Sequence, residues 1–370
     1  MQNRVRLIAA GDIWLRTEGG RHPFREVQHV LDEKDILFGN LETTLSDTGD
    51  PAEKHHVISE SPEAARHLVD AGFDVLSVAN NHSGDLGIEG FRNTLNALES
   101  RGILPIGGSA TENRQEPVII ERNGLLIGFA GYTIGKLALS NEVSVNRLVE
   151  EDIFKDIASL KGRCDHIALS LHWGAEMAYY PSPAQIDLAH RLIDAGATLI
   201  LGHHPHTMQA IERYHGGLIA YSLGMLQFEP RWPHNLSREA VVLSVDLEKD
   251  GVVGEYGVTP LLVDDNFVPH VAEGAEGENI RTFLAGISRE VAEGEITEAR
   301  WFEEIAPVYM RMNFESYRYR IRNNGPLPVL EMMIWFVTPF CLKCYAGLLR
   351  RALRPAPWRE RRMPGSGARN

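Results

Sequence analysis

Cysteine is scarce in this chain, which has only Cys164, Cys341 and Cys344 among its 370 residues. Three cysteines cannot build the disulfide framework of a small secreted protein. The spacing of Cys341 and Cys344 in the segment CLKC supplies only half of the ligands of a structural zinc site. Because both lie in an apolar run, we expect buried small side chains here rather than metal ligands.

Basic residues are scarce over most of the sequence. The net charge is −13, and the eleven Lys and Arg residues after position 316 leave 26 basic against 48 acidic side chains before it. Nucleic-acid binding depends on Lys and Arg that neutralise phosphates. We therefore expect no nucleic-acid partner, and a nuclease is the weakest functional hypothesis for this acidic body.

Long hydrophobic runs are missing from the N-terminus. The apolar core of MQNRVRLIAAGD is too short for a signal peptide and continues directly into a motif, so we interpret it as the first strand. The sequence thus predicts a cytoplasmic protein without a signal peptide, with peripheral contact to the inner face of the membrane as a further option.

One apolar run, from Val329 to Leu349, has about the length of a membrane span. It is interrupted by Glu331, Pro339 and Lys343 and is followed by an arginine-rich segment. Two interpretations stay open. Residues 326–362 could lie on an anionic membrane surface as an amphipathic element, or a C-terminal helix could pack on the domain and precede a disordered basic tail. A spanning helix ranks third.

Short apolar runs that end in glycine or in a polar cluster predict buried β-strands. They cover residues 5–12, 35–42, 73–82, 125–133, 166–174, 197–206 and 217–224. Helical segments lie between them, and two of these begin with a capping serine followed by proline, Ser61-Pro62 and Ser182-Pro183. Alternating strands and helices predict an α/β layered fold within residues 1–264. A helical extension over 265–325 and an apolar, then arginine-rich tail over 326–370 follow.

Polar side chains fall at the C-terminal ends of these predicted strands, which is the sheet edge where α/β proteins bind ligands. They are Asp12, Glu42, Asn81, His82, His172, His204 and His206. Nitrogen and oxygen donors without thiolate suit Zn, Mn, Fe or Co. A lone histidine at a strand end is more often a structural hydrogen-bonding group, but the shared position of the whole set favours a metal site.

The motifs that carry these residues are GDIWL, GNLETTLS, ANNHSGDLGIEG and the long segment from LHWGAE through LGHHPHTM to AYSLG. In them the chain resembles the bacterial capsule-synthesis CapA family, also called the poly-γ-glutamate biosynthesis family, which is related to calcineurin-like metallophosphoesterases. The resemblance covers roughly residues 5–228. It implies a four-layer α/β/β/α metallophosphatase-like sandwich that holds one or two divalent metal ions (Mn, Zn or Fe).

The resemblance also implies roles for individual residues. It makes His82 the catalytic histidine, and it makes metal ligands of Asp12, Glu42, Asn81, His172, His204 and His206. One position departs from the phosphoesterase pattern, since Trp14 stands where those enzymes have a histidine, and an indole nitrogen can only donate. A second metal ion would therefore be held by a thin set of ligands.

Three further residues are candidates for contact with substrate or for support of the ligands. His203 precedes the two ligand histidines and is a spare ligand, a substrate contact or a support of its neighbours. Glu176 lies four residues after His172 and could orient a ligand or be a solvated loop carboxylate. Arg16 could face an anionic substrate.

Two functional hypotheses of different classes follow. The first is a metal-dependent hydrolase of phosphoesterase type, or a related transferase, in which a metal activates water and His82 protonates the leaving group. Its substrate would be an anionic polymer or a phosphoester. The second is a non-catalytic partner that binds polymer or stabilises a polymer synthase complex, and Trp14 in the first motif motivates it.

Overall fold

The computed structural model describes residues 4–15, 22–54, 56–135, 137, 139, 141–228, 238–249, 251, 253–266, 268–325 and 327–353. Arg16 and the arginine-rich segment after Leu353 lie outside the described residues.

The strands all lie within the first 271 positions of the described chain. In chain order the described strands are β1 (Arg4–Ile13), β2 (Ile36–Leu41), β3 (Thr44–Leu45), β4 (Ser59–Glu60), β5 (Val75–Ser77), β6 (Leu104–Ile106), β7 (Gly108–Ser109), β8 (Val118–Arg122), β9 (Leu125–Thr133), β10 (Ser144–Val145), β11 (His166–His172), β12 (Leu199–His203), β13 (Ile211–Tyr214), β14 (Gly217–Ala220), β15 (Met225–Gln227), β16 (Glu239–Glu248), β17 (Val253–Val263) and β18 (Pro269–Val271).

Helices lie between the strands and after them. The described α-helices are α1 (Gln28–Leu31), α2 (Ala65–Ala71), α3 (Gly87–Glu99), α4 (Glu150–Leu160), α5 (Pro183–Ala195), α6 (Gly274–Ala292), α7 (Glu298–Asn324), α8 (Leu327–Phe336) and α9 (Pro339–Leu353).

Two mixed β-sheets form the centre of the molecule. The first has the order β18-β17-β16-β1-β2-β5-β6, with β15 also paired to β1, and the second has the order β13-β14-β12-β11-β9-β8. Strands β1, β2, β5 and β6 run parallel, as do β9, β11, β12 and β14. The antiparallel strands lie at the edges, next to the parallel core of each sheet.

Alternate residues of each central strand face opposite hydrophobic layers. In β1, Leu7 and Ala9 pack between the two sheets with Phe129 and Leu201, whereas Ile8 packs on the outer side. This alternation follows from the two-residue period of a strand.

Helices cover the outer faces of both sheets. The outer side of the first sheet is covered by α2 and α3, and that of the second by α4 and α5. The predicted four-layer α/β/β/α sandwich is therefore confirmed.

The serine-proline signals act differently at the two helices. At α5, Ser182 accepts a hydrogen bond from the backbone of Gln185 and the Gln185 side chain bonds back, forming a capping box. At α2, Ser61 makes no such capping bond, and a 3₁₀ turn over Pro62–Ala64 starts the helical segment instead.

The sheet continues past the boundary expected at Asp264, because β18 pairs with β17. The next helix, α6, places Ile280 and Leu284 in the hydrophobic layer between the sheets. Both α7 and α9 pack on the outer layer of the second sheet, where Phe302, Phe340 and Cys344 join the apolar cluster. The helical C-terminal region thus completes the core of the sandwich.

No single helix in the described part of the chain is both long and apolar enough to cross a membrane. By length and composition, Val329–Phe336 and Pro339–Leu353 reach that level only as a pair, and they are bent by 63° at the break between them.

Candidate metal centre

The polar residues singled out in the sequence meet at one edge of the two sheets. Asp12 lies near the end of β1, Glu42 directly follows β2, and Asn81 and His82 follow β5. From the second sheet, His172 ends β11, and the loop after β12 carries His204 and His206. Since the parallel strands of each sheet end at this edge, residues far apart in sequence become neighbours.

Asp12 lies at the centre of this group and is fully buried. Its Oδ2 accepts a hydrogen bond from the backbone N–H of His204 at 3.1 Å and lies 3.1 Å from Nδ1 of His206. Its Oδ1 lies 3.2 Å from Nδ1 of His203. Burial would raise the pKa of Asp12, but the imidazoles of His203 and His206 outweigh it and hold the pKa well below the usual range.

The loop after β12 has an unusual backbone conformation. His204 and His206 adopt φ angles of 93° and 58°, in the left-handed region that residues other than glycine rarely occupy. Such conformations cost about 1–3 kcal/mol each and cluster at functional sites. The backbone N–H of Met177 donates to the carbonyl of Pro205 at 2.7 Å, which joins this loop to the loop that carries Glu176.

Glycine permits the close approach of backbones beneath the loop. A Cβ atom at Gly202 would overlap the carbonyl oxygen of Tyr221, and one at Gly11 would overlap that of Gly224. Both glycines immediately precede site residues, so their lack of a side chain sets the position of Asp12 and His203.

Asn40, in β2, links the two halves of the site. Its Nδ2 donates to Oδ1 of Asp12 at 2.8 Å and lies 3.3 Å from Nδ1 of His172. Nε2 of His172 lies 2.8 Å from Oδ1 of Asn81, so the two amides face opposite nitrogens of the same ring.

Glu42 is almost fully buried next to this network. Its Oε1 lies 3.6 Å from Nε2 of His172, and burial together with the charge of Asp12 raises the pKa of Glu42 well above its usual range. A carboxylate in such surroundings needs a cation to stay ionised.

At this edge of the sheets, two clusters of residues offer ligand atoms at distances that suit a metal ion. The first contains Asp12, Glu42 and His172, and the second contains Glu176, His204 and His206; within each cluster the ligand atoms lie within 4.8 Å of one another. The rings of His172 and His204 are adjacent, with centroids 4.6 Å apart, so the two clusters adjoin.

Charge states differ among the three histidines of these clusters. Burial lowers the pKa of His172 well below its usual range, with His204 as a further cause, and burial lowers the pKa of His204 to about 4. Burial also opposes the charge of His206, but the carboxylates of Glu42 and Asp12 outweigh it and raise its pKa to about 10. His172 and His204 are therefore neutral at pH 7, the state in which imidazole binds metal.

The donor set fits a divalent metal ion. Within the described part of the site, Oε1 of Glu42 and Nδ1 of His204 are buried without a hydrogen-bond partner. Buried polar atoms without partners are costly, and a bound cation would satisfy both atoms. Carboxylate oxygens and imidazole nitrogens are the donors that Zn, Mn and Fe accept.

His82 lies beside these clusters and shares a small cavity with Glu42. Its Nδ1 is 2.8 Å from Oδ2 of Asp85, which is fully buried, and 3.1 Å from Nζ of Lys54. Burial lowers the pKa of His82 even though Asp85 opposes the shift. With Nδ1 directed at Asp85, Nε2 is the ring nitrogen left to exchange a proton with substrate.

The structure separates the supporting candidates. Glu176 lies in the second cluster and is half-buried, so it is not an isolated solvated carboxylate. His203 is fully buried against Asp12 and the ring of Phe38, which leaves it no access to substrate. Its contact with Asp12 favours the supporting role among the three possible roles, and this role stays a prediction. Trp14 packs with a small apolar cluster and offers no ligand.

Sequence reasoning missed Asn40, Asp85 and Lys54. Asn40 stands two residues before Glu42 in the motif GNLE, and Asp85 three residues after His82 in NNHSGD. Their proximity to motif residues was the available signal. Lys54 is in a loop segment, AEKHH, that carries no such signal; the fold brings it into an ion pair with Asp85.

Comparisons with known proteins agree on the family to which this chain is similar. Residues 6–229 match the family described as "Bacterial capsule synthesis protein PGA_cap". The chain is 31% identical over 252 residues to the PGA biosynthesis protein CapA of Bacillus subtilis, covering 66% of each chain. It is 30% identical over 246 residues to the capsule biosynthesis protein CapA of Bacillus anthracis, covering 63% of this chain and 59% of that one. In both cases the aligned part is under two thirds of the relative's own length.

Among solved structures, the 5'-nucleotidase precursor of Thermus thermophilus aligns with a TM-score of 0.47 at 14% identity, covering 78% of this chain and 59% of the other. The match to the family model spans more than half of the present chain and contains every residue of the two clusters. The protein therefore belongs to the bacterial capsule synthesis PGA_cap family.

Proposed function

We propose that this protein is a metal-dependent hydrolase that acts on a phosphoester or a related anionic substrate in capsule or poly-γ-glutamate biosynthesis. The observation that carries the proposal is the pair of adjoining ligand clusters with unpartnered buried atoms on Glu42 and His204. Most buried polar atoms have a hydrogen-bond partner, so unpartnered atoms that lie among other potential ligand atoms favour a bound cation.

Asp12, Glu42, His172, His204, His206 and Glu176 would hold one or two divalent ions, with Asn81 directed at the same place. A divalent ion bound there would neutralise the anionic group and lower the pKa of an attacking water molecule.

The chain's own residues hold and move the protons. In hydrolysis, a bond forms between the water oxygen and phosphorus while the bond from phosphorus to the leaving oxygen breaks. His82 donates the proton that this oxygen needs and recovers one from the attacking water. Asp85 keeps the ring oriented through Nδ1.

Hydrolysis of a simple phosphomonoester such as phenyl phosphate, with and without added Mn²⁺, tests this function. Turnover should require metal and be lost in His82→Ala. Equal turnover in the wild type and in a protein with both Asn81→Ala and His172→Ala would overturn the proposal.

The competing hypothesis is a non-catalytic partner of polymer or polymer synthase. Its support is that Trp14 packs on Met225, Phe228 and Val263 instead of supplying a ligand. Under that hypothesis the metal-stripped protein would retain its binding to the synthase, and no phosphoester would be hydrolysed with any metal.

The exposed face of α8 and α9 bears on where the protein is located in the cell. Large apolar side chains on α8 and α9 are exposed, among them Met333 at 61%, and Val337 between the two helices is exposed at 68%. The last turn of α9 carries Arg350 and Arg351. We propose that this face lies on an anionic lipid surface, since apolar side chains next to arginines suit such a surface.

Co-sedimentation with anionic vesicles tests the surface. The double substitution Met333→Glu and Val337→Glu should abolish binding, whereas Leu126→Glu in β9 should not. Substitutions are preferable to truncation here, because α9 buries Cys341 and Cys344 against the core. Unchanged sedimentation of the double variant would overturn this placement.

A further inference from the structure

A large cavity opens beside the second ligand cluster. Its volume is about 630 Å³, within the range of about 300–1,000 Å³ that holds small organic ligands. His204 and Glu176 line one part of it. A molecule whose anionic group reaches the ligand clusters would therefore extend into this cavity.

Two different parts of the chain build the walls. Trp173 and Leu188 come from the segment that matches the family model, and Trp301 and Phe340 come from α7 and α9, which lie beyond it. The C-terminal helices are thus a wall of the cavity as well as a cover for the sheet.

The aromatic walls present little polarity to the cavity. The indole N–H of Trp173 donates to the carbonyl of Tyr221 at 3.1 Å, and that of Trp301 donates to the carbonyl of Tyr180 at 3.0 Å. Because both N–H groups are already used, the indoles can offer only ring surface to a ligand.

The polar and charged side chains of the cavity differ in whether a ligand could interact with them. Glu150 lines the cavity, and its Oε2 forms an ion pair with Nη1 of Arg191 at 2.6 Å. Gln185 is held in the capping box of α5. Glu176 belongs to the second ligand cluster. The cavity is therefore ionic where it meets the metal centre and mainly apolar elsewhere.

We propose that the substrate of this site is an amphiphilic phosphoester, with an alkyl group that occupies the cavity and a phosphate held at the ligand clusters. This inference rests on the proposed hydrolase function and adds the class of the leaving group. Hydrolysis would release the alkyl alcohol, whose oxygen takes the proton from His82, together with inorganic phosphate. Contact with the apolar walls removes an alkyl chain from water and so favours its binding. A highly charged polymer segment would gain little affinity from the same walls.

Binding of two alkyl phosphates to the Mn²⁺-loaded protein, measured by calorimetry, tests the proposal. Octyl phosphate should bind at least about tenfold more tightly than ethyl phosphate, because each buried methylene adds to the affinity. Met312→Glu, which places a charge in the cavity from α7, should bring the two affinities to within about threefold. Leu126→Glu is the matched control, because Leu126 is exposed in β9 and does not line the cavity.

A second variant covers the case in which Met312→Glu fails to fold. Ala184→Phe narrows the cavity from α5 and should reduce the preference for octyl phosphate in the same direction. Equal affinity of the wild type for the two phosphates, or an unchanged preference in both variants, would overturn the proposal.

The same titrations distinguish this inference from the proposed function. Tight binding of octyl phosphate without hydrolysis would support the cavity and overturn the hydrolase. Hydrolysis of both esters, with equal affinity for the two, would support the hydrolase function and overturn the proposal that the cavity binds an alkyl group. A parallel titration with phosphatidate in vesicles shows whether the alkyl phosphate comes from a lipid surface or from solution, and either source satisfies the proposal.

Discussion

Oδ2 of Asp85 lies 2.8 Å from Nδ1 of His82, and Asp85 is fully buried while His82 is 7% exposed. The same Asp85 oxygen accepts the backbone N–H of Ile58, and the carboxylate also pairs with Lys54. The carboxylate is thus fixed by the fold, and it fixes the imidazole in turn. In the proposed hydrolysis, His82 would act as an oriented proton donor.

Asp85→Asn tests this orientation. The amide can no longer hold the proton of Nδ1 in the same way, so we expect phosphoester hydrolysis to fall about 10- to 100-fold in kcat, with a smaller change in KM. Steady-state kinetics on the metal-loaded protein measure both constants. Asp50→Asn, in an exposed loop, is the control and should match the wild type. An unchanged kcat in Asp85→Asn would show that His82 acts without this carboxylate.

Asn40→Ala tests the link between Asp12 and His172. The substitution removes the amide that bonds Asp12 and faces His172, so metal affinity should fall about 10- to 100-fold. Competition with a chelating dye measures the affinity. The control is Asn96→Ala, on the exposed face of α3. If both variants bind metal as the wild type does, Asn40 has no part in holding the ligands.

Gly202→Ala tests the packing under the histidine loop. The added methyl group would overlap the carbonyl oxygen of Tyr221, and we expect a loss of about 1–3 kcal/mol in the free energy of unfolding together with weaker metal binding. Urea denaturation measures the first quantity. Gly286→Ala in α6 is the matched control, because its methyl group would meet open space and should stabilise the helix by about 0.5–1 kcal/mol. Equal stability of the two variants would contradict this description of the loop.

Much of the fold could be predicted from the sequence, because its signals are local. The apolar runs predicted β1, β9 and β11 nearly to the residue, and the Ser182-Pro183 signal predicted the start of α5. The α/β/β/α layers and the family are confirmed.

The last strand of the first sheet could not be predicted from the sequence. Strand β18 is only three residues long, and its pairing with β17 is a tertiary contact that no local pattern announces.

The candidate site was predictable as a set and not in its details. All strand-end residues that the sequence singled out lie at one edge, but their roles as ligands and as catalyst stay predictions. Glu176 lies beside His204 and His206 where the backbone N–H of Met177 donates to the carbonyl of Pro205, a contact between two loops that has no local sequence signal. Asn40 lies in the motif GNLE, but no sequence pattern marks a buried asparagine in a strand as a hydrogen-bond partner of Asp12. The cavity depends on how α7 and α9 dock, which the sequence pattern does not encode.

The metal content of the purified protein is the most direct measurement of the central claim. Elemental mass spectrometry would compare the wild type with a double variant carrying His204→Ala and His206→Ala, prepared without chelator or affinity metal. His215→Ala, at an exposed histidine that pairs with Asp194 outside the two clusters, is the control. We expect one or two metal ions per chain in the wild type and the control, and a loss in the double variant. A wild-type protein that holds no metal even after reconstitution with Mn, Zn and Fe would contradict the account.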